Sequence, residues 1–180
     1  MKLFAMVLTV LSALLVAAPT VFASSVVPAG YQRVAAIHGI PGDVFYAVAL
    51  AESGKRIEHL RELRPWPWTL NVQGDGRFYP SRRAAASALH EALTTGRTSV
   101  DIGLMQVNWR YHRRALGAID DALDPYRNLH VAAAILNACH KSRRDWWAAV
   151  GCYHAPNNPH RAGRYRERVR SIWRDLVGDR

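Results

Sequence analysis

A mainly α-helical single domain with a small β-hairpin insertion is the fold class this sequence predicts, and three observations carry that prediction. Its 180 residues fit one ordinary domain. Hydrophobic residues make up 49% and charged residues 21%, enough apolar surface for a packed core and too much for wholesale disorder. From Tyr31 onward most segments carry apolar residues at helical spacing, and only the stretch around Trp68–Gln73 alternates like a strand.

The chain opens with Met1-Lys2 and an apolar run from Leu3 to Ala18, followed by Val21-Phe22-Ala23. A short positive start, an apolar stretch and small residues before a cut form the pattern of a secretory signal. Residues 1–23 are therefore expected to be removed, leaving a mature domain over residues 24–180, exported and periplasmic. The run is short for a membrane span, and no stop-transfer cluster follows it, so no stable membrane anchor is expected after cleavage.

The mature region then reads as follows. A short helix covers Tyr31 to His38 and breaks at Gly39-Ile40-Pro41-Gly42. Pro41 suits a first helical turn, and the next helix runs from Asp43 through Glu52 to a capping glycine at Gly54. It is apolar almost all round, as a central buried helix should be. Trp68 to Gln73 and Arg77-Phe78-Tyr79 pair as a hairpin about a Gly74-Asp75-Gly76 turn. Ser81 caps a helix that ends at Gly96, and Arg97 to Ile102 reads as a loop before Gly103-Leu104-Met105-Gln106-Val107-Asn108. Asp124-Pro125 opens a helix with Leu129, Ala132, Leu136 and Cys139 on one face. Asp145 caps Trp146 to Tyr153, and Arg161 to Val177 forms a final Arg-rich helix.

Cys139 and Cys152 are the two cysteines, an even count that suits an oxidising compartment. A disulfide between them is the preferred reading, with two buried free thiols as the competing one. The formal net charge is +10, and of the basic residues only Lys2, Lys55 and Lys141 are lysines. A guanidinium-rich surface favours anionic partners, and for an exported chain these are envelope polymers rather than nucleic acid. The eight histidines sit without metal-ligand spacing, so neither a metal site nor a cofactor is expected. Ser53 lacks a nucleophile context.

Glu52 is the candidate for chemistry. It shares a helix face with Phe45, Val48 and Ala49 and lies in the last helical turn, where the macrodipole disfavours negative charge. Desolvation and dipole both push it towards a carboxylic acid that keeps its proton near neutral pH, as a general acid requires. The alternative is a frayed, solvated helix end. Gln106 and Asn108 add amides that can read the hydroxyl and acetamido groups of a sugar.

Ala51-Glu52-Ser53-Gly54, Gly103-Leu104-Met105-Gln106-Val107-Asn108, Asp124 to Leu136 with Asn128, and Cys152-Tyr153 together resemble the catalytic domain of the soluble lytic transglycosylase family. These are lysozyme-like enzymes that cut bacterial peptidoglycan. Asp101-Ile102 before the glycine looks more like the branch serving secretion systems, pili and conjugation. The resemblance implies a lysozyme-like fold and a non-hydrolytic cut of the MurNAc–GlcNAc bond that leaves 1,6-anhydro ends. It implies Glu52 as catalytic acid and then base, with Ser53, Met105, Gln106, Asn108 and Tyr153 as substrate-binding residues. Peptidoglycan strands are the implied partner, with secretion or conjugation machinery as a further one. Where the family usually has Asn after the tyrosine this chain has His154, which leaves one contact open. Asp101 is the nearest candidate for a second carboxylate, which would make the chain a hydrolytic muramidase. A non-catalytic peptidoglycan-binding scaffold is the other alternative. Trp66, Trp68, Phe78 and Tyr79 read equally as sugar-stacking surface or as a lid over the core.

Overall fold

A computed structural model describes residues 27–178. The signal segment and its cut after Ala23 lie outside the described residues. Helices α1 (Ala29–Ile37) and α2 (Gly42–Ser53) come first, followed by strands β1 (Gly54–Ile57) and β2 (Glu62–Pro65). Strands β3 (Thr69–Val72) and β4 (Asp75–Phe78) precede α3 (Arg82–Thr94), and β5 (Val100–Ile102) and β6 (Val107–Asn108) follow it. The rest is helical: α4 (Trp109–Leu116), α5 (Ile119–Ala122), α6 (Pro125–Arg143), α7 (Trp146–His154) and α8 (Pro159–Gly178).

The expected mainly α fold is present, with α2 at its centre. Phe45, Ala47, Val48 and Ala49 have no accessible surface, and α2 packs on both α1 and α8. Its apolar run leaves no face for water, so only a position inside the bundle satisfies it. Helix α7 lies against α6 and α8. Local caps set the helix starts: Ser81, Asp124 and Asp145 each accept a backbone N–H three residues on, at 3.2, 2.8 and 2.7 Å. Trp109–Leu116, a basic segment in the sequence, folds as the amphipathic helix α4 with Leu116 buried.

The β part is larger than one hairpin. Strands β3 and β4 pair as expected, but the turn is Gln73-Gly74, both at positive φ (53° and 100°), rather than Gly74-Asp75-Gly76. Two adjacent left-handed residues give the tight turn whose twist matches its strands. The expected loop Arg97–Ile102 supplies β5, and an antiparallel sheet of order β4-β3-β5-β6 results. Three residues of β5 are too few for an alternation to register in sequence. A second, two-stranded sheet joins β1 to β2 and was not anticipated. Gly54 is not a left-handed cap: its φ is −58°, and the chain passes directly from α2 into β1. Trp68 and Tyr79 pack against the core, while the Trp66 indole N–H donates to the Tyr79 carbonyl at 2.7 Å. That arrangement favours the lid reading for Trp68 and Tyr79, while Phe78 is exposed.

Cys139 and Cys152 form a disulfide that ties α6 to α7 across a sequence separation of 13. Closing a loop of that size stabilises the fold by about 3 kcal/mol in the chain-entropy account. The Cys139→Ser, Cys152→Ser double variant is expected to lose that amount in a denaturant titration under oxidising conditions. A reduced wild type should match it.

Candidate active site

Glu52 sits in the last turn of α2, between buried Ala51 and Ser53, and its side chain is 12% exposed. The frayed-end alternative does not hold, because the helix end is clamped from three sides. Ser53 Oγ donates to the Leu104 carbonyl at 2.7 Å, and Trp66 N–H donates to the Ser53 carbonyl at 2.9 Å. From α8, the Arg168 guanidinium donates to the Ala51 carbonyl at 2.9 Å. Among the arginines of α8, Arg168 is therefore turned towards the site.

Next to this helix end, joined to it through Ser53, lies the segment 103–108. Gly103 adopts a φ of +78°, and a side chain there would come within 2.8 Å of the Asn128 amide. Buried Asn128 donates to the Ile102 carbonyl and accepts from Met105 N–H, both at 2.9 Å. The Tyr153 hydroxyl donates to the Met105 carbonyl at 2.7 Å. Gln106 has a left-handed φ of 47°, a conformation that costs a non-glycine residue about 1–3 kcal/mol unless its surroundings enforce it. Here its Nε2 donates to the carbonyls of Gly103 and Thr69, at 2.9 and 3.2 Å, and so ties the loop to β3.

Electrostatics set the state of the carboxyl. Burial raises Glu52 from an ordinary 4.5 to about 7, and the nearby Asp101 pushes the same way. The Tyr165 hydroxyl, donating to Glu52 Oε1 at 2.5 Å, and the Arg168 charge oppose the rise without cancelling it. Asp101 itself is raised by burial, against the opposing Asn108 Nδ2 that it accepts at 2.7 Å. Tyr153 and Tyr165 are pushed well above the usual range, by burial first and then by Glu52, so both stay neutral donors. His154 Nδ1 lies 3.9 Å from Glu52 Oε1. Its pKa is lowered by burial and then by Arg161 and Arg168, which leaves a neutral imidazole at neutral pH.

The structure brings Glu52, Gln106, Asn108 and Tyr153 into one region, linked through the 103–108 segment, but distributes the roles differently from the expectation. Ser53 and Met105 are 1% and 0% exposed, so neither side chain reaches a ligand. Both build the wall from behind, Ser53 through its hydroxyl and Met105 through its backbone. Asn108 holds Asp101, and its Oδ1 is buried without a partner. Sequence reasoning missed Tyr165 and Arg168. Ala162, Tyr165, Val169 and Ile172 lie at helical spacing, a signal that Tyr165 faces inward, but nothing local shows that its hydroxyl meets Glu52. Among the described residues no three His, Cys, Asp or Glu side chains converge as metal ligands. A groove of about 530 Å³ lined by His112, Arg127, His130 and Ile135 contains none of the residues around Glu52.

This arrangement can donate a proton from a desolvated acid and stabilise the resulting carboxylate through Tyr165 and Arg168. A family model described as the transglycosylase SLT domain matches residues 81–175. That span takes in the 103–108 segment, Asn128, Tyr153 and Tyr165, and begins after Glu52. No curated protein and no solved structure matches the chain.

Proposed function

This chain belongs to the transglycosylase SLT domain family, whose substrate is peptidoglycan and whose fold is lysozyme-like and mainly α, and from that premise we propose that it is a lytic transglycosylase with Glu52 as its acid and base. The observation that carries the reading is the carboxyl of Glu52, raised to about 7 by burial and still hydrogen-bonded by Tyr165. An acid with that pKa is about half protonated at neutral pH, so it can give a proton and is still basic enough to take one back.

The reaction follows from one carboxyl. Protonated Glu52 gives its proton to the glycosidic oxygen between MurNAc and GlcNAc, and the bonding pair leaves with that oxygen. The acetamido oxygen of the MurNAc attacks C1 from the other face. The Glu52 carboxylate then takes the proton of the C6 hydroxyl. O6 bonds to C1, the acetamido oxygen departs, and a 1,6-anhydro end results without water. Tyr165 and Arg168 stabilise the intermediate carboxylate. Gln106, fixed by Gly103 and Thr69, lines the cleft.

Periplasmic action and remodelling of the wall for a secretion, pilus or conjugation apparatus are part of the proposal. The apolar N-terminal run, the +10 charge and the Asp101-Ile102-Gly103 pattern support them.

Purified peptidoglycan incubated with residues 24–180 should release fragments ending in 1,6-anhydromuramic acid, read by mass spectrometry. Ends heavier by one water would instead make the chain a muramidase, with Asp101 holding the nucleophile. No fragments at all would favour a binding scaffold.

A further inference from the structure

His154 closes α7 with its ring flat against Tyr165, centroids 4.2 Å apart and planes within 3°. Tyr165 is the residue that donates to Glu52 Oε1, so one stacked pair presents a hydroxyl and an imidazole to the same oxygen. The hydroxyl has made its bond and the imidazole has not. At 3.9 Å, His154 Nδ1 is too far from Oε1 for a direct hydrogen bond. Polar atoms held at such a separation are spaced for a third polar atom between them. A hydroxyl oxygen at about 2.8 Å from each spans that gap with an angle of about 90° at the oxygen. The gap is accessible, since the His154 side chain is 35% exposed where that of Glu52 is 12%.

We propose that His154 is a further catalytic residue of this site, holding the attacking sugar hydroxyl between its Nδ1 and Glu52 Oε1. The inference rests on the transglycosylase reading and assigns the second of its two steps. Nδ1–H donates to the hydroxyl oxygen, which fixes the neutral tautomer as the Nδ1-protonated one. The hydroxyl gives its proton to Glu52 Oε1. Its remaining lone pair forms the bond to C1 as the acetamido oxygen leaves. The stack on Tyr165 keeps the ring from turning away, so the hydroxyl is oriented before it reacts.

Charge at this position matters. Arg161 and Arg168 disfavour the imidazolium, while Glu52 and the neighbouring Asp101 carry the acidic charge at the site. Tyr153 and Tyr165 stay neutral. A neutral imidazole leaves the Glu52 carboxylate its full basicity. Once protonated at lower pH, it weakens that base and slows ring closure, which gives the activity an acid limb.

The test compares His154→Phe and His154→Asn with wild type in kcat against pH and in the ratio of anhydro to water-terminated ends. Phe keeps the stacked ring and removes the donor; Asn restores a donor. Expected is a fall of about 10²-fold in kcat for His154→Phe, loss of the acid limb and a larger share of water-terminated ends. His154→Asn should recover much of the rate but not the acid limb. A His154→Phe enzyme with wild-type kcat, product ratio and acid limb would overturn the assignment. If wild type itself forms no anhydro ends, the transglycosylase reading fails before this one is reached.

Discussion

Glu52→Gln should lower cleavage of peptidoglycan by about 10³-fold or more while leaving the fold intact, since a positioned general acid contributes on that order. The amide keeps the shape and can accept the Tyr165 hydroxyl, but it has no proton to give and cannot take one back. The same change should also stabilise the protein, and the sign can be worked out. Burial raises the carboxyl from 4.5 to about 7, so the native state tolerates the charge less well than the unfolded chain does. Below pH 4.5 both states hold the proton and nothing is lost. As pH rises through 7 the native state is charged at a cost of about 3 kcal/mol. Glu52→Gln should therefore raise the unfolding free energy from a denaturant titration at pH 8 by up to that amount, with the gain vanishing towards pH 4.5. A variant both inactive and less stable at pH 8 would show that the carboxyl holds the structure rather than serving the chemistry.

Asn128→Leu is the second large effect. Asn128 is 1% exposed and satisfies two buried backbone groups, the Ile102 carbonyl and the Met105 N–H. Leucine keeps the branched shape, is bulkier, and satisfies neither. Two orphaned groups at roughly 2 kcal/mol each put the expected loss at roughly 4 kcal/mol. Gly103 adds to this, because its backbone lies against the amide with no room for a larger contact. The consequence reaches the site, since Met105 carries the carbonyl that orients Tyr153 and Gln106 follows it in the chain. A denaturant titration should show the loss in stability, and activity measured under folding conditions should fall with it. A loss below about 1 kcal/mol would mean that the loop is held from elsewhere.

Sequence patterning carried the parts of this molecule whose signals are local. Capping residues Ser81, Asp124 and Asp145 mark helix starts because a side chain meets a backbone three residues away. Helix α2 is legible as central because an all-apolar run has no other place. Glu52 stands out as a carboxyl that such a helix must bury. What stayed hidden depends on distant contacts. Strand β5 is three residues long, and its longer pairing is with β3, about thirty residues earlier. The Tyr165 hydroxyl meets Glu52 across 113 positions, and Arg168 reaches Ala51 across 117. Ser53 and Met105 are substrate-binding residues only by the family resemblance; both side chains are buried in the fold, and nothing in the residues around them says so.

The central claim is that this fold holds one carboxylic acid, Glu52, protonated near neutrality. Its most direct test is the titration of Glu52 itself, followed by the carboxyl carbon resonance of 13C-labelled glutamate and assigned by its absence in Glu52→Gln. The account predicts a midpoint about 7, coincident with the alkaline limb of kcat/KM. A midpoint near the ordinary 4.5, with activity persisting above it, would contradict the account, because Glu52 would then be ionised where the enzyme works.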